Sequence, residues 1–243
     1  MNSQDILSLF HELCRHAEKE TLPSFRKTLH VDNKMDDGFD PVTQADKNAE
    51  KAIRQCIAEH YHDHGIIGEE FGEKATDSEY CWVIDPIDGT RAFISGMPVW
   101  STLIGLYKNG VPYAGIMHQP FTAEKYICDG ETSFYERGSE RIALQTSSDT
   151  DISKAIMMAT TPDMFTAEEL LSFERINTAV SMVRYGGDSY AYCQLAAGQV
   201  SLVVEADLQA YDVAALIPIV QNAGGIFTDW QGNSPADGGQ IIA

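Results

Sequence analysis

"CWVIDPIDGTRAF", residues 81–93, runs from an apolar, strand-forming stretch straight into Asp85, Pro86, Ile87, Asp88, Gly89 and Thr90. Pro86 restricts Asp85 to extended geometry and predicts a turn in which the two carboxylates converge. Converging carboxylates repel one another unless a cation joins them. Mg²⁺, which takes oxygen ligands and shares them with phosphate, suits such a pair. The carbonyl of Ile87, displayed in the same turn, can complete a shell. Gly89 allows close backbone approach, and a helix beginning at Thr90 would turn its first N–H groups toward a phosphate. The Thr90 hydroxyl can orient a water. The fragment therefore reads as a junction between metal and phosphate.

Upstream, "GIIGEE" (65–70) is a short strand that delivers Glu69. Thr43-x-x-Asp46 fits a capping box opening a helix with Ala45, Ala49, Ala52, Ile53, Cys56 and Ile57 on one face. Residues 3 to about 28 read as a helix or helix pair, and "LHVDNKMDDGFDP" (29–41) reads as a polar, mobile loop. Downstream, "WSTLIGLYKNGVPYAGIMHQP" (100–120) predicts two strands joined through Asn109-Gly110, and "EKYICDG" (124–130) continues that sheet.

Past about residue 145 the pattern changes. "KAIMMAT" (154–160) and "VSLVVEA" (200–206) are continuous apolar strands of the kind covered on both faces. Between them lie the helical segments "TAEELLSFERI" (166–176) and "DSYAYCQLAAG" (188–198). Asp212 is placed to cap "VAALIPIVQNAGG" (213–225), Pro218 to kink it and Gly224-Gly225 to end it. The expectation is an α+β lobe over 1–145 and an α/β lobe over 146–243, forming one structural unit. "GGQIIA" (238–243) resembles the start of a strand, which suggests a natural chain that continues further.

The 36 acids and 17 bases among 243 residues give a net charge of −19, which excludes sequence-independent nucleic-acid binding. No apolar run approaches the about 20 residues that span a bilayer, and the mixed-charge amphipathic start lacks the pattern of a signal peptide. Five scattered cysteines without a CxxC predict reduced thiols in a cytoplasm, with neither a disulfide framework nor a zinc site. His11, His16, His30, His60, His62, His64 and His118 show no clear catalytic spacing, and "HYHDH" (60–64) reads as an exposed loop, with weak metal binding as the alternative.

Glu69, Asp85, Asp88 and Asp212 each lie where an apolar strand or loop meets a helix start. "GEE" (68–70), "WVIDPIDGT" (82–90) and "YDVAALIPIVQNAGG" (211–225) together resemble the inositol monophosphatase-like, Mg²⁺-dependent, lithium-sensitive phosphatases. That resemblance covers most of the chain. It implies the layered α-β-α-β-α sandwich of the sugar phosphatases, usually as a homodimer. By the same resemblance, Glu69, Asp85, the Ile87 carbonyl, Asp88 and Asp212 would hold two or three Mg²⁺. Glu69 and Thr90 would activate the attacking water, Asp46 would support them, and Gly89 and Thr90 would hold phosphate. Tyr211 departs from the Trp that many members carry before the aspartate, without removing a ligand.

Arg91-Ala92-Phe93-Ile94-Ser95-Gly96, "RYGGDSYAY" (184–192) and "LVVEADLQAYDVAAL" (202–216) look like the histidinol-phosphate phosphatase branch. Arg91, Arg184, Gly187, Asp188, Glu205 and Asp212 would then contact substrate. Asp188 and Glu205 can pair with the amine and imidazole of histidinol phosphate through charge-assisted hydrogen bonds. Two alternatives stand beside this reading: a phosphatase of inositol phosphate or another small phosphate ester, and a non-catalytic regulatory protein on the same scaffold.

Overall fold

The computed structural model describes residues 1–28, 31–33 and 41–243. Ile6, Phe10, Leu13 and Ala17 lie buried along α1 (Ser3–Thr21), which opens on a capping box between Asn2 and Asp5. The helix stops short of the expected residue 28. Pro23 has no N–H to continue the ladder, and the chain proceeds by tight turns such as Phe25 N–H to the Leu22 carbonyl. Within the expected loop, β1 (Val31–Asn33) pairs antiparallel with β2 (Pro41–Thr43). The remainder of that expectation, residues 29–30 and 34–40 with His30 among them, lies outside the described residues. The capping box of Thr43 and Asp46 forms as expected at the start of α2 (Gln44–His60).

Next come β3 (Gly65–Gly68), β4 (Gly72–Lys74), β5 (Tyr80–Asp88), the short α3 (Thr90–Ser95), β6 (Ser101–Lys108) and β7 (Val111–Gln119). They are followed by β8 (Glu124–Cys128), β9 (Ser133–Arg137) and β10 (Glu140–Ala143). Among the described residues these strands form one eight-stranded sheet in the order β10-β9-β8-β7-β6-β5-β3-β4. Asn109 and Gly110 both take positive φ, 52° and 77°, as the tight β6–β7 turn requires.

The second half contributes β11 (Ile156–Ala159), α4 (Ala167–Asn177), β12 (Met182–Tyr185), α5 (Ser189–Ala196) and β13 (Leu202–Gln209). Then follow α6 (Ala210–Val213), α7 (Leu216–Asn222), β14 (Thr228–Asp229) and β15 (Gly238–Ile242). The sheet order is β12-β11-β13-β15-β14, with β11 parallel to both its neighbours. The helix expected over 213–225 is broken into α6 and α7, because Pro218 offers no N–H to the carbonyl of Ala214. It ends as the glycines predicted: the N–H groups of Gly224 and Gly225 return to the carbonyls of Gln221 and Val220, each at 3.0 Å.

Three buried clusters join the layers. Phe10, Ile53, Trp82 and Ile104 seat α1 and α2 on one face of the large sheet. Leu103, Met117, Tyr192, Val203 and Val220 fill the space between the sheets around α5 and α7. Met157, Phe173 and Val204 seat α4 on the far face of the smaller sheet. The architecture is the expected α-β-α-β-α sandwich. Each large side chain buried in these layers contributes roughly 1.5–3 kcal/mol.

One contact fixes the middle layer closely. Gly105 and Gly115 face each other across β6 and β7, and the α6–α7 junction rests on both. A Cβ at Gly115 would lie 2.2 Å from the Ala215 carbonyl oxygen, and one at Gly105 2.7 Å from the Ala214 Cβ. Because the obstacle at Gly115 is backbone and cannot rotate away, Gly115→Ala should cost about 3 kcal/mol or more. Urea denaturation measures it; an unchanged midpoint would show that the junction does not rest on that strand.

Candidate active site

The pairing of β5 with β6 slips between Asp85 and Asp88. This corrects the expected turn: the strand runs on to Asp88, and the two carboxylates converge through a bulge. Pro86 cannot donate to the ladder, and the Thr102 hydroxyl donates to its carbonyl at 2.8 Å, holding the displaced backbone. In a regular strand, residues three apart point to opposite faces. Here Asp85, Asp88 and Asp212 bring carboxylate oxygens within 4.8 Å of one another.

Asp212 arrives from the other half of the chain. It is not the helix cap expected but the third residue of α6, accepting the Gln209 N–H at 2.7 Å in a capping box. Its position depends on the seat that Gly105 and Gly115 provide for the α6–α7 junction. Glu69 follows β3, donates its N–H to the Ile84 carbonyl at 3.1 Å, and reaches the Asp85 carboxyl with a side-chain hydrogen bond.

Burial and mutual repulsion push Asp85 well above the usual carboxylate range. Asp212 moves the same way, with the Gln209 N–H only partly offsetting its burial. Burial takes Asp88 to about 6, opposed by hydrogen bonds from Ser189. Asp46 is likewise pushed up to about 6 by burial, against the Thr43 bonds that lower it and with the charge of Glu69 nearby. Such a buried excess of negative charge calls for a cation, and every donor in the group of three is a carboxylate oxygen. That hard, all-oxygen set fits Mg²⁺.

Gly89 takes φ 75°, a left-handed conformation that glycine adopts without strain. It also leaves room for Asp188, whose carboxyl carbon would stand 3.2 Å from a Cβ there. The Thr90 hydroxyl donates to the Ile87 carbonyl at 3.0 Å. That carbonyl keeps a second lone pair, and the hydroxyl oxygen keeps acceptor capacity for a water. Phe93 anchors α3 against Phe25 and Trp100, with ring centroids 5.5 and 4.8 Å away.

Asp188 and Glu205 share a cleft of about 110 Å³ with Asp88 and Asp212, walled by Tyr192, Thr160 and Met164. Asp188 holds φ 44°, strained for a residue with a side chain, at the start of α5. Burial raises it to about 8, with Asp88 and Glu205 repelling it and Arg91 drawing it down. Glu205 is 2% exposed, accepts the Thr160 N–H at 2.6 Å and the Tyr192 hydroxyl at 2.8 Å, and is pushed by burial to about 7. Arg184 stands exposed on β12 opposite Met158. Gly187 serves packing: a Cβ would lie 2.5 Å from the Met158 methyl.

Sequence reasoning missed the supports. Buried Glu50 accepts the Glu70 N–H at 2.7 Å and the Phe71 N–H at 3.2 Å, while Arg54 pairs with it at 2.7 Å, so the turn carrying Glu69 is held from α2. Its local signal was a Glu-x-x-x-Arg pair beginning four residues after Asp46. Ser189, whose N–H reaches Asp88 at 2.9 Å, and Tyr192 had none outside the α5 pattern.

The inositol monophosphatase family model matches residues 2–242. The chain is 39% identical over 210 residues to the chloroplastic bifunctional phosphatase IMPL2 of Arabidopsis thaliana, spanning 86% of this chain but 59% of that protein. It is 36% identical over 246 residues to the histidinol-phosphatase of Chlorobaculum parvum, spanning 98% of this chain and 91% of that one. A solved inositol monophosphatase from Zymomonas mobilis superposes with a TM-score of 0.87 at 36% identity, covering 100% of this chain and 93% of the other. Fold, acidic cluster and sequence agree: this chain belongs to the inositol monophosphatase family and is a phosphoric monoester hydrolase.

Proposed function

We propose that the protein is a Mg²⁺-dependent phosphatase that hydrolyses L-histidinol phosphate to L-histidinol and phosphate. The observation that carries this reading is the pair of half-buried Asp188 and buried Glu205, which share one cleft with Asp88 and Asp212. An inositol ring offers hydroxyls, which do not call for two further carboxylates. An amine and an imidazole do, and charge-assisted hydrogen bonds would lower the cost of burying those acids. The similarity to the Chlorobaculum histidinol-phosphatase supports the same substrate.

Glu69, Asp85, the Ile87 carbonyl, Asp88 and Asp212 would hold two or three Mg²⁺. The chemistry these ions bring when bound is positive charge for the transferring phosphoryl group and a more acidic attacking water. Glu69 accepts the proton of that water. The Thr90 hydroxyl positions the water through its oxygen while its own proton stays directed at the Ile87 carbonyl. Asp46, beside Glu69 and fixed by Thr43, keeps the local charge high. The N–H groups at Gly89 and Thr90 hold phosphate, and Arg91 balances Asp188. Residues 1–145 and 146–243 act as one unit around this site, in a homodimer. Five free thiols fit a cytoplasmic setting.

Side-by-side phosphate release tests the reading. Histidinol phosphate should exceed inositol 1-phosphate by about 100-fold in kcat/KM, and Glu205→Gln should remove most of that margin while sparing p-nitrophenyl phosphate. Equal turnover of both natural esters would favour a broader small-phosphate phosphatase.

A further inference from the structure

Outside the acidic cluster, α1 and α2 present a second group of donors of different chemistry. Glu12 and His16 stand four residues apart on α1, and Cys56 and His60 four apart on α2, so each pair shares one helix face. A Glu12 carboxylate oxygen, a His16 ring nitrogen and the Cys56 sulfur all lie within 4.8 Å of one another. His60 Nε2 stands at the rim of this group, paired with Glu12 Oε2 at 3.1 Å. The sulfur is buried, whereas His60 and Glu12 are 46% and 34% exposed, which leaves an open approach from solvent.

The neighbouring histidines do not compete. His64 accepts the Trp82 indole N–H on Nδ1 at 3.0 Å and stacks on Tyr61, so "HYHDH" is divided between core and surface. A thiol, an imidazole and a carboxylate make a borderline-soft set of three that leaves a fourth position open, a donor type that tetrahedral zinc takes and Mg²⁺ does not.

We propose that Glu12, His16 and Cys56 form a zinc site that ties α1 to α2, its fourth position open to a water or to His60 turning from Glu12. Binding replaces the Cys56 S–H bond with an S–Zn bond and releases the proton to solvent. Burial, together with the charges of Glu12 and Glu59 against that of Arg15, pushes the free thiol up to about 11. Without the ion Cys56 is therefore a protonated, unreactive core residue, and zinc affinity rises with pH. The protein thus sorts two kinds of divalent cation by donor chemistry: oxygen at the phosphatase centre, sulfur and nitrogen between the helices.

Co²⁺ titration of the whole chain, with saturating Mg²⁺ to fill the carboxylates, reads this site alone, because sulfur bound to cobalt absorbs in the near ultraviolet and carboxylates do not. Absorption should saturate near about one equivalent and be bleached by Zn²⁺. It should vanish in Cys56→Ser. His16→Asn and Glu12→Gln, which leave the core untouched, should weaken Co²⁺ binding at least about 10-fold with unchanged circular dichroism. They carry the test if the buried serine does not fold. Absence of the sulfur band in the parent protein would overturn the proposal, as would its survival in Cys56→Ser or undiminished affinity in His16→Asn.

Discussion

Asp88→Asn should lower Mg²⁺-dependent phosphate release by at least about 1000-fold, the scale of losing a charge that organises a transferring phosphoryl group. The substitution preserves shape. Asn still offers an oxygen to the Ser189 N–H that Asp88 Oδ2 accepts at 2.9 Å, so α5 keeps its place. What disappears is one of three carboxylates gathered within 4.8 Å. Without a divalent cation, removing that charge relieves repulsion on Asp85 and Asp212, both raised in part by Asp88. The variant should therefore be inactive yet melt no lower than the parent in EDTA, a trade of stability against function. Steady-state phosphate assays and a thermal melt give both numbers. Activity within tenfold of the parent would remove Asp88 from the metal centre.

In EDTA, the parent protein should lose stability as pH rises from 6.5 to 8, and saturating Mg²⁺ should restore it. Glu205 at about 7, Asp188 at about 8, and Asp85 and Asp212 well above the carboxylate range all have folded pKa values above their unfolded ones. The folded state holds more protons than the unfolded chain, so the stability those protons support is lost as pH climbs through the folded values. Buried His118, lowered to about 3 by desolvation, acts in the opposite sense, but only below its unfolded value of 6.5. At a Mg²⁺ concentration about 100 times Kd the gain is about 2.7 kcal/mol, or roughly 5–10 °C in Tm for a chain of this size. The Mg²⁺ increment should be larger at pH 8 than at pH 6.5. A cation-free Tm that stays level or rises across the interval would contradict the clustering of ionised carboxylates.

The parts legible in the chain were those in which local rules and tertiary structure agree. Asn109-Gly110, the Thr43–Asp46 box and the Gly224-Gly225 stop announce their geometry within four or five residues. The string from Trp82 to Thr90 carries two of the three clustered carboxylates. Illegible were relations whose partners are distant in sequence. The bulge in β5 exists through pairing with β6 and the Thr102 hydroxyl. Glu50 supports a turn 20 residues away, and Ser189 meets Asp88 across 101. Asp212 was misread as a cap because a helix broken by Pro218 begins earlier than its apolar pattern.

The slip in β5 also determines what kind of change this protein tolerates. Side chains alternate along a strand with a period of two, so the facing of Asp88 depends on the number of residues between it and Asp85 as much as on their identity. Closing the ladder with β6 without that fault, the length unchanged, would rotate the downstream carboxylate, with Gly89 and Thr90, toward the wrong side of the sheet. Catalytic competence is written here as a frame. Substitution at Ile87 changes a side chain and leaves that frame intact; a change in the pairing with β6 at the same point erases it.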